Sequence, residues 1–455
     1  MVDKFKAGNL RVDNLIKRFL LLSLLMPALV ATMLSASVSA SPKIENWVTS
    51  NGARVFYVHA PELPMVDIRV VFDAGSARDG DLPGLSMVTN SLLTEGAGKW
   101  NADEIAERIE SVGAELSIDS LRDMGVVSLR SLTEEKALNK AVATMAAVIA
   151  KPTFEQSALD RNIKALKIVL RQELQSPSEI ASKAFFKAMY SDHPYAHPST
   201  GTEASLSRYS TERLRQFHKK YYVAKNAVVA IVGDVERQQA GKLAQQIIGQ
   251  LPMGERAAAI PSAKSLSFEK RNAIDFPSQQ AHLYIGMPVV KRGDPDYFAL
   301  YVGNHVLGGS GLVSRISKEI REERGLAYSA YSYFSPMRGE GPFIIGLQTK
   351  NSQVKEAEKV VLQTLEDYIL KGPSAEELKR SKQNITGGFP LRVASNSNIV
   401  EYLAMIGFYD LPLDYLDTFV ANINAITVDK IRDAFKRRLQ TERFSTVVVG
   451  KVDEQ

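Results

Sequence analysis

Two periods alternate along this chain: short stretches in which apolar and polar residues trade places every second position, and longer ones with a helical repeat. Ala53–Ala60 (ARVFYVHA) and Val66–Ala74 (VDIRVVFDA) read as strands, the first entered through a tight turn at Asn51-Gly52. Gly84 to Leu93 begins a helix. Asn101 to Val112 is another, with Asn101 placed as N-cap and Glu104 three residues on as its capping-box partner. Ala114–Ser120 and Gly125–Leu132 alternate as strands around the turn Arg122-Asp123. Lys136–Ile149 and Phe154–Leu174 are amphipathic helices, 210–222 is helical, and Ala227–Val232 is a strand. HPYAHPSTG, from His193 to Gly201, is a loop because Pro194 and Pro198 break any regular element.

The sharpest pattern is Leu307 to Phe334, LGGSGLVSRISKEIREERGLAYSAYSYF. After the turn Gly308-Gly309-Ser310-Gly311, Leu312, Ile316 and Ile320 fall on one helical face, and charged residues fill the other. Gly325 stands where a helix ends in a left-handed residue. A strand follows, expected to point Tyr328, Ala330, Ser332 and Phe334 one way and Ala327, Ser329, Tyr331 and Tyr333 the other. Arg321 and Tyr328 therefore flank a helix-to-strand corner. Spacing alone also fits a capped helix with a solvent arginine and a packed tyrosine.

Composition narrows the class. A chain of 455 residues is too long for one ordinary core, so two or more domains are expected. The formal charge is +5, but residues 1–40 hold five Lys/Arg and two Asp/Glu, leaving 51 against 49 in the remainder. That balance gives a nucleic-acid partner no support. The absence of cysteine removes disulfides, thiolate metal sites and a cysteine nucleophile. Basic residues 4–18, the apolar run Phe19–Leu34 and the small-residue pattern Val38/Ala40 read as a secretory signal peptide cut after Ala40, with an uncleaved anchor as the alternative. The mature protein is then expected to be exported, to the periplasm in a bacterium, without stable membrane insertion.

The chain also repeats itself. At an offset of 217, Ser210-Thr-Glu-Arg-Leu-Arg aligns with Thr427-Val-Asp-Lys-Ile-Arg, and the strand ending at Val232-Gly233 aligns with Val449-Gly450. So long a period means a duplicated domain, not a solenoid. The expected parts are a signal peptide (1–40), an N-terminal domain (41–250), an Ala/Pro/Ser linker (251–267) and a C-terminal domain (268–455).

REERGLAYS at such a corner resembles the C-terminal half of the insulinase (pitrilysin) family of zinc metallopeptidases, which includes the mitochondrial processing peptidase. The resemblance extends over nearly all the chain after residue 41. It implies an α+β fold of two homologous α/β sandwich halves closing as a clamshell. It also implies a substrate-holding role for Arg321 and Tyr328, which match the family's arginine and tyrosine seven residues apart. Family members that cut peptides carry H-x-x-E-H in the first helix of the N-terminal half, where two histidines hold zinc and the glutamate activates water. Here Met87, Asn90 and Ser91 stand at those three positions, inside an otherwise matching Gly84-Leu85…Glu95-Gly96 frame. A thioether, an amide and a hydroxyl make neither a catalytic zinc site nor a base. Glu173 matches the family's downstream glutamate ligand, left over without its companions. The six histidines offer no substitute: His193 and His197 lie in the proline-broken loop, and the others lack ligand-like neighbours. The chain is therefore expected to hold no metal. As the resemblance has it, it would be the zinc-less subunit of a heteromeric peptidase, with zinc and H-x-x-E-H in a homologous partner and peptides as substrate. The other reading is a non-enzymatic scaffold or peptide-binding protein of the same fold.

Overall fold

The computed structural model describes residues 43–451 except 265, 267 and 268; the signal-peptide segment lies outside them. Ile44 onward forms one compact unit built around two sheets. The N-terminal sheet has six strands in the order Glu45–Val48, Arg54–His59, Ala227–Gly233, Met65–Phe72, Gly125–Leu132, Glu115–Ser120. The C-terminal sheet has five, Lys270–Asp275, Ser445–Gly450, Gln280–Val290, Gly341–Lys350, Ala327–Phe334. Without the first strand of the six, the two orders correspond one to one. Each has a single parallel pair at the same place, Arg54–His59 with Ala227–Gly233 and Lys270–Asp275 with Ser445–Gly450.

The duplication extends to single caps. Helices Thr211–Tyr221 and Val428–Arg438 begin and end at the 217-residue offset, and the Ser210 and Thr427 side chains accept from the Arg213 and Lys430 amides. The capping box at Asn101 forms in both directions, each bond 2.9 Å long.

The two halves close on each other by exchanging helices. Helix Pro177–Tyr190 of the first half lies on strands Gln280–Val290 and Ser445–Gly450 of the second. Helix Asn396–Phe408 of the second lies on strands Ala227–Gly233, Met65–Phe72 and Arg54–His59 of the first. Both central strands are therefore buried on both faces, which is why AVVAIVG and the VVVG of STVVVG are continuous apolar runs instead of alternating. Val55 and Tyr57 enter the first half's own core, while Phe56 and Val58 enter one shared with the second half. The exchanged helix comes so close that a Cβ at Gly407 would lie 2.4 Å from the Phe56 ring.

Buried polar groups fasten the same seam. Asp123, which the sequence shows only as a turn residue, is 4 % exposed. Its carboxylate accepts from the Tyr195 hydroxyl (2.6 Å), the Arg338 amide (2.8 Å) and the Tyr409 hydroxyl (3.1 Å). The Tyr195 oxygen in turn accepts from the Gly339 amide at 2.9 Å. Beside it, Asp73 is held by Arg78 through two bonds of 2.6 and 2.7 Å and by Arg338 at 3.2 Å. His193, in the proline-broken loop, is a structural residue: its ring pairs with the Tyr195 amide and the Pro261 carbonyl.

Candidate functional site

The corner forms, but not as one uniform helix. Gly311–Val313 is a 3-10 turn, Ser314 restarts the chain as an N-cap, Arg315–Ser317 is a single α-turn, and Lys318–Glu322 widens into a π-turn. Ile316 and Ile320 are fully buried as expected. Leu312 is not: the restart at Ser314 shifts its phase and leaves it 55 % exposed. Gly325 takes φ +60°; its amide donates to the Arg321 carbonyl at 3.1 Å, and the Leu326 amide to the Ile320 carbonyl at 2.8 Å. The backbone carrying Arg321 is thus pinned.

Tyr328 also departs from simple alternation. Strand Ala327–Phe334 is the free edge of its sheet, and its pairing slips by one residue between Ala327 and Ser329. The bulge turns Tyr328 away from the buried side of Ala330 and Ser332 and leaves it 83 % exposed. The packed-tyrosine reading is excluded for this residue.

Around Arg321, Arg315 and Arg324 are engaged and Lys318 is only loosely paired. Arg315 forms a fork with Glu377 at 2.8 and 2.6 Å, which holds the Glu377 carboxyl down at about 2. Arg324 bonds Glu319 at 2.6 Å, and Lys318 lies 3.6 Å from Glu323. Arg321 has no carboxylate partner among the described residues.

The degenerate motif lies on helix Leu85–Ser91 of the first half. The Asp79 carboxylate starts this helix, accepting from the Gly84 and Ser86 amides at 2.7 and 2.8 Å. Met87 packs partly buried against the core. Asn90 is 1 % exposed; its oxygen accepts from the buried Tyr222 hydroxyl and its nitrogen donates to the Asp119 carbonyl. Ser91 donates to the Val88 carbonyl and accepts from Asn162. Helix Gln156–Glu173 runs alongside, so that Asn162 meets Ser91 and Glu173 reaches Thr200, next to Gly201, which abuts Gly84. Glu173 forms an ion pair with Lys183 from the exchanged helix Pro177–Tyr190. The Lys183 ammonium therefore supplies the positive charge that a metal would otherwise bring to this carboxylate. No group of three His, Asp or Glu among the described residues fits an ion. The donor set does not suit zinc, and its polar atoms already bond other protein groups. Sequence reasoning had no route to Lys183, Asn162 or Tyr222, which carry no motif and reach these positions only by packing.

Two family models match consecutive parts of the chain: "Insulinase (Peptidase family M16)" over residues 54–203 and "Peptidase M16 inactive domain" over 208–385. A crystal structure described as the peptidase M16 inactive domain from Pseudomonas fluorescens is 37 % identical, with a TM-score of 0.87 over 90 % of this chain and 98 % of that one. The chain belongs to the insulinase (M16) peptidase family. Among other M16 relatives, an "Uncharacterized zinc protease YmxG" of Bacillus subtilis is 24 % identical over 90 % of this chain and 98 % of its own length. A "Non-peptidase homolog YmxG" of Helicobacter pylori is 26 % identical over 87 % and 91 %. Both names occur among M16 proteins of this kind; the residues at 87, 90 and 91 put this chain with the catalytically inactive ones.

No helix among the described residues is long and apolar enough to cross a membrane. Purified without chelator, the isolated protein is expected to carry well under one zinc per chain and to leave unfolded peptides uncut. Metal analysis beside a peptidase assay checks this; one tightly held zinc with chelator-sensitive cleavage would overturn it.

Proposed function

We propose that this chain is the zinc-less subunit of an exported, heteromeric M16 peptidase. It supplies Arg321 and Tyr328 to a homologous subunit that carries H-x-x-E-H. The observation that carries this reading is the pairing of an 83 %-exposed tyrosine, on a bulged edge strand, with an arginine lacking any carboxylate partner among the described residues. Neither side chain contributes to the core, yet the bulge and the π-turn fix the backbone beneath both.

In this reading Arg321 binds a carbonyl or carboxylate of the peptide, a task suited to the guanidinium's rigid fork of donors. Tyr328 donates its phenolic hydrogen to the oxygen on which negative charge develops at the scissile carbonyl. The partner's metal supplies the activated water. Because the two halves of this chain are closed over a shared core, a chamber around a peptide needs walls from a second subunit. An edge strand offers the peptide main-chain pairing.

The experiment is reconstitution with a homologue carrying H-x-x-E-H from the same genome. Zinc-dependent peptide cleavage by the mixture, absent from either chain alone, supports the proposal. Failure of the two to associate, or full activity of the homologue by itself, counts against it. Export adds a separate expectation: the intact mass of the mature protein begins at Ser41. A full-length chain recovered in a membrane fraction would mean an anchor.

A further inference from the structure

Beyond Tyr328, the edge strand runs into a groove of about 1300 Å³ in the second half. Its walls are the outer end of the strand, helix Tyr297–Asn304 with its π-continuation His305–Gly309, and helix Ala375–Arg392. Five cationic side chains line it against one carboxylate, Glu377, which Arg315 already occupies.

The four remaining cations are poorly compensated. Arg392 donates to the neutral Tyr301 hydroxyl at 3.0 Å. Arg292 lies over the Tyr297 and Tyr409 rings at 5.7 and 5.4 Å, and its buried Nε has no acceptor. Lys318 and Arg380 have carboxylates only at 3.6 and 3.8 Å, beyond hydrogen-bond range, and are 61 % and 69 % exposed. Tyr297 and Tyr301 stack at 5.9 Å, setting Arg292 and Arg392 on either side of one aromatic wall. The chain after residue 40 is almost neutral, so this concentration of positive charge is local.

We propose that this groove binds acidic segments of extended polypeptide, which gives the peptide site proposed above a preference for Asp and Glu. Carboxylates would bridge these weakly compensated guanidinium and ammonium groups. The strand's outer edge supplies unpaired main-chain groups at the peptide repeat, which favours a polypeptide over another polyanion. From Tyr328 to Phe334 the strand spans roughly 20 Å. A chain held at Tyr328 and running along this edge therefore brings a residue about six positions away to the Arg292 and Arg392 end.

The inference rests on the peptide-binding reading but is tested without a partner or zinc, so a failure of cleavage does not bear on it. Fluorescence anisotropy of a labelled Glu-Val repeat dodecapeptide and its Lys-Val twin, each with the isolated mature chain, is the measurement. The acidic peptide is expected to bind, its affinity falling with salt, and the basic one not to. Arg292→Gln with Arg392→Gln is expected to weaken binding roughly tenfold or more. Lys318→Glu with Arg380→Glu, both exposed, is expected to do the same with an unchanged melting temperature, which covers the case in which the first pair unfolds. Equal binding of both peptides, or affinity untouched by the exposed pair, would overturn the proposal. So would single-stranded DNA or heparin binding as tightly as the acidic peptide, since the groove would then be a general polyanion site.

Discussion

Tyr328→Phe in the two-subunit enzyme is expected to slow peptide cleavage about a hundred- to a thousand-fold, the usual cost of one lost oxyanion donor, roughly 2.7–4 kcal/mol. The substitution removes one hydroxyl and keeps the ring, and the ring is 83 % exposed, so folding and assembly should hardly change. Arg321→Ala is expected to cripple the same reaction while changing stability by less than about 0.5 kcal/mol, because the side chain is exposed and unpaired among the described residues. The measurement is kcat/KM of the reconstituted pair beside the melting temperature of each variant. Full activity in both variants would remove the shared-site mechanism and leave a scaffold or peptide-binding role as the better account.

Asp123→Ala is expected to be the most damaging single change to the fold, costing about 3–5 kcal/mol, because it leaves three buried donors without their acceptor. The loss strands the Tyr195 and Tyr409 hydroxyls and the Arg338 amide at once, and these groups come from both halves of the chain. Each buried donor left unmade costs about 1–3 kcal/mol, less than additively in a shared network. Asp123→Asn keeps the shape and one acceptor oxygen, so it should lose only part of this. Urea unfolding of both variants checks the order. A loss below about 1 kcal/mol for the alanine variant would mean that the apolar seam alone holds the halves together.

Much of the architecture was legible because its causes are local. Capping at Asn101, the stop at Gly325 and the strand and helix periods depend on residues within about four positions of one another. The duplication was legible for the same reason: each copy repeats its own helix start and strand, so a 217-residue offset shows without knowledge of packing. Loss of the zinc ligands needed only residue chemistry at 87, 90 and 91.

What the sequence by itself determined, then, was most helices and strands of the first half and the corner of the second, that one domain occurs twice, and that this chain lacks a metal-binding helix. Tertiary structure decided the rest, because the interactions responsible join residues far apart in the chain. Arg338 meets Asp123 across 215 residues, and Arg54 meets the Gly407 carbonyl across 353. No short-range period encodes such pairs. The exchange of helices made the central strands apolar on both faces. Pairing with strand Gly341–Lys350 placed the bulge that turns Tyr328 outward, against the alternation its neighbours follow. Packing of helix Pro177–Tyr190 brought Lys183 onto Glu173, and three separate elements gathered the arginines of the groove.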